Sequence, residues 1–197
     1  MEAISKDRAI KIFHQKGIAL FTVGDAQKIF GIKNQNTLYK LLQRLEKAQV
    51  VKRIIKGKYR FLLKEVNDFE LANFLVNPSY ISLESALSFY GILPQFPYTI
   101  TSVTPLKSKK IVLNQKEYEF AHLQAKYFKA ALKQDGFLIA LPEKALLDEL
   151  YFLAKKLRSV NLKDLDLKRI DKTKLKKLAK EYDFLPLQKL LKNLKLF

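Results

Sequence analysis

"TVGDAQKIFGIKNQNTLYKLLQRLEKAQVVKRIIKGKYRF", residues Thr22 to Phe61, holds two short amphipathic runs, a tight turn between them and a basic two-strand pattern around one glycine. Thr22 is a good helix N-cap, and Asp25, three residues on, can answer it in a capping-box arrangement. A helix should therefore run from there to Phe30, where Gly31 stops it. After the "GIKN" turn, from about Asn34, residues Leu38, Leu41, Leu42 and Leu45 recur at the i, i+3, i+4, i+7 spacing of a buried stripe. At 100° per residue the opposite face carries Asn36, Tyr39, Lys40, Gln43, Arg44 and Lys47. Asn and Gln can bind adenine bidentately, and Arg and Lys can reach guanine or phosphate. "VVKRIIKGKYRFLL" then reads as a hairpin whose tip and flanks carry Lys52, Arg53, Lys56, Lys58 and Arg60.

Upstream, Ile4, Ala9, Ile10, Ile12 and Phe13 alternate with charges as an amphipathic helix over Ile4 to Gln15, closed by Gly17. Helix, helix, turn, helix and basic hairpin in that order predict a winged helix-turn-helix, with its third helix in the major groove and its wing on phosphates or the minor groove. A leucine stripe alone is usually only core. The combination with a wing and a local basic excess favours a reader of double-stranded DNA.

The chain has 197 residues and a formal net charge of +18. Residues 1–68 carry 15 Lys/Arg against 6 acids, residues 69–153 carry 8 against 8, and residues 154–197 carry 14 against 5. Two basic ends thus flank a neutral middle, which points to a polyanionic partner. With 48% hydrophobic residues there is material for real cores. No cysteine is present and only two histidines, which leaves little material for a disulfide framework, a thiol nucleophile or a zinc site, and no cofactor is expected. No stretch approaches eighteen consecutive apolar residues and the N-terminus lacks a signal-peptide pattern, so a cytoplasmic location without membrane contact is expected.

At Asn67-Asp68 the charge drops and the pattern changes, which predicts a boundary: a DNA-binding domain over 1–68 and a mixed α/β domain over 69–197. A helix from Phe69 to Val76, a Ser82-capped helix over Leu83 to Tyr90, and an extended run in "LPQFPYTITSVTP" are expected. "KKIVL" and "YEFAHL" around "NQKE" read as a hairpin, "FLIA" as a strand, and "LPEKALLDELYFLAKKL" as a helix with Pro142 in its first turn. From Leu162 two lysine-rich helices separated near Pro186 carry stripes of Leu175, Leu178, Leu187, Leu190, Leu191 and Leu194. The fold class expected is α+β.

Three phrases, "PSYISLESALSFYGILPQFPYTITSVTP" at 78–105, "YEFAHLQAKYF" at 118–128 and "ALPEKALLDELYF" at 140–152, resemble the middle-domain signatures of the AbiEi-type antitoxins, the predicted transcriptional regulators of viral defence systems. The wing "RIIKGKYRF" resembles that family's "GxY" wing, and the likeness spans most of residues 8–155. It implies a bacterial type IV toxin–antitoxin system, whose antitoxin binds repeats in its own promoter, represses the operon and counters a nucleotidyltransferase-like toxin. In that family the C-terminal part is the one implicated in neutralisation. The resemblance therefore makes residues 69–197 an antitoxin domain with a basic helical tail from about 155, in a protein that is not an enzyme.

Other residue patterns read more plainly. "DLD" at Asp164 to Asp166 lacks the Gly-Ser segment that nucleotidyltransferases place before their metal-binding pair, and reads as solvated carboxylates. His122 reads as a hydrogen-bonded structural residue and His14 as exposed. Glu143 and Asp148 read as ordinary chemistry of a helix N-terminus rather than catalysis. Tyr80, Phe89, Tyr90, Phe96 and Tyr98 read as core before they read as a platform for RNA bases. The tail lysines 155, 156, 163, 168, 172, 174, 176, 177 and 180 suit either a solvated face or nucleic acid. The competing class is an RNA-binding or protein-binding adaptor that uses the winged helix for docking. Duplex specificity separates the two.

Overall fold

The computed structural model describes residues 4–196 and is mixed α+β, with eight α-helices and two sheets among those residues. The chain divides into two compact units, Met1–Asn67 and Asp68–Phe197.

In the first unit, α1 (Lys6–Gln15) begins two residues later than the apolar pattern suggested, because Ser5 is its N-cap and accepts the Arg8 N–H. Next comes β1 (Leu20–Thr22), then α2 (Val23–Phe30), whose Thr22–Asp25 capping box is formed as expected. The Thr22 backbone and hydroxyl donate to the Asp25 carboxylate at 2.9 and 2.7 Å, and these bonds hold its pKa below the usual value. Gly31 closes α2 at φ 66°, where a side chain would be strained. Helix α3 (Gln35–Lys47) starts from Asn34, which accepts the Thr37 N–H, and buries all four stripe leucines. Burial of each is worth about 2 kcal/mol.

The hairpin follows as β2 (Val51–Ile55) and β3 (Lys58–Phe61), turned at Lys56-Gly57. β1 joins it in the order β1-β3-β2. This third strand was not foreseen, since three residues are too few to show alternation. The core is aromatic: Phe13 lies 5.0 Å from Phe21, 4.9 Å from Phe61 and 5.4 Å from Phe30 between ring centroids.

The end of α3 is sharply built. The Gln49 N–H bonds the Glu46 carbonyl and the Val50 N–H bonds the Leu45 carbonyl, the two bonds of a Schellman motif. Gln49 sits at φ 53°, the left-handed position that glycine usually fills. Gln49→Gly should therefore stabilise the chain by about 1 kcal/mol, read as a higher midpoint in urea.

The second unit is a six-stranded sheet in the order β6-β7-β5-β4-β9-β8, with helices around it. α4 (Asp68–Leu75), β4 (Tyr80–Ile81), α5 (Leu83–Phe89) and β5 (Ile100–Thr104) come first. The β6–β7 hairpin (Lys109–Leu113, Lys116–His122) turns through Asn114 and Gln115, both at positive φ, as the "NQKE" reading expected. A second hairpin, β8 (Ala131–Gln134) and β9 (Phe137–Ala140), supplies one strand more than the sequence suggested. β5–β7 and β4–β9 are parallel pairs within an otherwise antiparallel sheet.

α6 (Pro142–Ala154) is buried on every side from Glu143 to Phe152, and α5, α7 (Lys172–Ala179) and α8 (Leu185–Asn193) all pack on it. The last two helices are separated near Pro186 as expected, the break covering residues 180–184, and Pro186 itself sits in the first turn of α8, where its missing N–H costs nothing. One expectation needs correction here. Ser82 precedes α5 but makes no cap, because its hydroxyl donates instead to Asp148. Among the described residues no helix is long and apolar enough to cross a membrane.

Candidate nucleic-acid interface

Because the leucine stripe faces the core, Asn36, Tyr39, Lys40, Gln43, Arg44 and Lys47 are all exposed on one side of α3, and Tyr39 is 45% exposed despite its ring. At the hairpin tip Lys56 is exposed and Gly57 takes φ 77°. The register divides the remaining hairpin cations. Lys52 pairs with Arg60, Arg53 with Tyr59, and Thr22 with Lys58. Paired residues share a face and neighbours alternate, so Lys52, Lys58 and Arg60 stand on the outer face of the sheet, while Arg53 stands on the face of buried Tyr59. The structure thus gathers the six α3 side chains, sets Lys56 at the tip, and does not group Arg53 with Lys58 and Arg60.

Lys52 and Arg60 are like charges directly opposite each other, an arrangement that costs stability unless an anion lies against them. Arg60 is half-buried and its Nε is buried without a hydrogen bond. An acid adjoins this basic surface: Glu46, whose carboxylate accepts the Arg53 N–H at 2.9 Å. It follows Tyr39 by seven residues, so it lies on the same side of α3, a signal the sequence held and the basic pattern obscured. Burial raises the Tyr59 phenol, with Arg53, Glu46 and Tyr39 as its charged or titrating neighbours.

The second unit holds chemistry of another kind. Asp148, fully buried in mid-helix, accepts from Ser82 Oγ at 2.8 Å, Tyr182 Oη at 2.9 Å, Tyr80 Oη at 3.2 Å and the Lys144 ammonium. Lys144 also donates to Tyr182 at 2.9 Å. Burial pushes Lys144 down, opposed by Asp148, and pushes the Tyr80 and Tyr182 phenols far up. Glu143 does not cap its own helix; its carboxylate accepts the Asp171 N–H at 3.2 Å and so holds the start of α7. Glu143 does lie in the first turn of α6, as the N-terminal reading has it, but its carboxylate and that of Asp148 are engaged in these long-range bonds.

One residue further along α6, Glu149 is fully buried and neither carboxylate oxygen has a hydrogen-bond partner. Its neighbours are Glu84, Arg158, Asp148 and Glu119, and Arg158 is already engaged by Glu84 at 2.9 and 3.0 Å and Glu119 at 2.6 Å. Burial, then Glu84, pushes the Glu149 carboxyl up to about 8. Ser82, Lys144, Asp148 and Glu149 are all buried, and the Asp148 bonds fasten β4, α6 and the segment after α7 together.

The remaining candidates resolve locally. Asp166 accepts the Lys168 N–H and pairs with Arg169 at 3.2 Å, while Asp164 accepts from Asn161 at 3.0 Å, so both serve short turns. His122 is exposed, with Nδ1 2.8 Å from the Leu106 carbonyl, and His14 is exposed beside the Phe61 ring. Among the described residues no group of three or more His, Asp or Glu is arranged to hold a metal. Of the five aromatics, Tyr80 is buried and Phe89 and Tyr90 are half-buried, but Phe96 and Tyr98 are 62% and 67% exposed, against the expectation that they form core. All nine tail lysines are exposed.

No family model matches the chain, and no curated protein matches it in sequence.

Proposed function

We propose that the first unit is a winged helix-turn-helix that reads duplex DNA, and that the whole chain is a two-domain antitoxin and autorepressor of the AbiEi type. The observation that carries the DNA reading is the single exposed face of α3, where Asn36, Tyr39, Lys40, Gln43, Arg44 and Lys47 stand together beside a basic hairpin. In this reading α3 enters the major groove, Lys56 lies against phosphates, and Lys58 and Arg60 form an outer basic patch on the sheet. The resemblance in residues 78–152 supports the second half: a nucleotidyltransferase-like toxin as functional partner, countered by the second unit without catalysis of its own.

A reporter under the DNA upstream of the gene tests the autorepressor half. Expression of the intact chain should lower reporter output, and Arg44→Ala should restore it. In binding terms Arg44→Ala should cost about 1–3 kcal/mol on the specific duplex and far less on a scrambled one. Rescue of cells that express the adjacent toxin tests the antitoxin half, and unchanged toxicity in the presence of folded protein would count against it.

One observation favours a second reading. Exposed Phe96 and Tyr98 are suitable stacking surfaces for unpaired bases, which supports an RNA-binding adaptor. On that reading single-stranded RNA outcompetes the upstream duplex, and Phe96→Ala weakens binding.

A further inference from the structure

Glu46 is the anomaly of the basic face: a carboxylate beside the α3 surface that a phosphate backbone would approach. Simple electrostatics makes it a liability for DNA binding. Its geometry gives it another task. In the order β1-β3-β2, β2 is an edge strand, so the backbone groups on its outer side have no strand partner. Arg53 pairs with Tyr59 across the ladder, and its N–H is taken up by Glu46 Oε1 at 2.9 Å. Between helix and strand lie only Ala48, Gln49 and Val50, locked by the two Schellman bonds and the positive φ of Gln49. Helix α3 and the hairpin share a core, in which Leu41, Leu45, Val51, Tyr59 and Phe61 are buried together, and beyond this short strained elbow the Glu46 side chain adds a tie on the outer side of β2.

We infer that Glu46 is a positioning residue that fixes the hairpin relative to the exposed face of α3, so that Lys56 and the groove-facing side chains of α3 address one duplex in a single geometry. This rests on the DNA reading proposed above. Without the side-chain tie the elbow, the shared core and the β1–β3 ladder still hold the base of the hairpin, but the outer edge of β2 and the Lys56 tip lose a restraint and their phosphate contacts are made only part of the time. A glutamine keeps the acceptor oxygen and discards the charge; an alanine discards both. The pair of variants therefore separates positioning from charge.

The experiment uses the intact chain with Glu46→Ala and Glu46→Gln. Amide exchange at Arg53, read by NMR, should quicken by at least about tenfold in Glu46→Ala and stay slow in Glu46→Gln. Binding to the upstream duplex should weaken by about tenfold in Glu46→Ala, with a log–log salt slope shallower by about 1 or 2 as wing phosphates are lost. Glu46→Gln should bind as well as the parent or better, with an unchanged slope. If both variants bind more tightly with the parent's slope, Glu46 acts through its charge and the proposal is overturned. Equal binding by all three proteins overturns it as well. A parent chain that ignores the duplex overturns the DNA reading, and the role of Glu46 with it.

Discussion

Asp148→Ala should leave the second unit unfolded or close to it at 25 °C. Among the described residues the aspartate is the only carboxylate bonded to the buried Lys144 ammonium, and it accepts from three hydroxyls on two stretches of chain, Tyr80 and Ser82 on one and Tyr182 on the other. Removing one partner of a buried ion pair costs about 3–5 kcal/mol, because the surviving charge has no water to return to. Stripping Ser82, Tyr80 and Tyr182 of their acceptor adds to that. Lys144→Met should be the milder lesion, since Asp148 keeps three hydroxyl donors and the methionine fills the stem's volume. Urea unfolding of the intact chain measures both. If Asp148→Ala unfolds no more readily than Lys144→Met, Asp148 is not the joint on which α5, α6, β4 and the segment after α7 converge.

Raising the pH from 5 to 8 should destabilise the protein through Glu149. Its carboxyl titrates at 4.5 when free and at about 8 in the fold. Below 4.5 both states are protonated and there is no differential effect. Between those values the unfolded state has lost the proton and the folded state keeps it, so stability falls by up to about 1.4 kcal/mol per pH unit. Above 8 both are ionised and the fall stops. The physical origin is a charge shortage: Glu84, Glu119 and Glu149 surround one Arg158, already bonded to the first two. Glu149→Gln imitates the neutral acid and should flatten this part of the stability–pH curve, leaving the variant more stable than the parent at pH 9 by a few kcal/mol. Parallel curves for the two proteins would place the titration elsewhere.

The two units differ in how far the sequence could be read. In the first, caps and stripes are local: Thr22 and Asp25 are three residues apart, the α3 leucines span two turns, and Gly31 and Gly57 mark turns by themselves. Those elements formed where the pattern placed them. Strands β1 and β4, of three and two residues, carry no periodicity and exist only because a neighbour completes their ladders. The Asp148 cluster was illegible for a related reason. Its partners lie 66, 68 and 34 residues away in the chain, and "KALLDEL" reads as an ordinary amphipathic turn until the elements on both sides cover it. Phe96 and Tyr98 erred the other way, as aromatic residues whose type argued for burial while the loop between Pro94 and Ile100 leaves them exposed. On α3 the sequence identified which side chains share a face, but the separation of Arg53 from Lys58 and Arg60 needed the strand register.

The exposed face of α3 is proposed to read one duplex. A salt-titrated gel shift of the intact chain on the DNA upstream of its own gene, with scrambled duplex and single-stranded RNA as competitors, tests it most directly. With about six phosphates neutralised, the account predicts a log–log slope on the order of −5 and a preference for the upstream duplex of a thousandfold or more, on the order seen for specific readers. Equal affinity for the scrambled duplex, or tighter binding to the RNA, would contradict it.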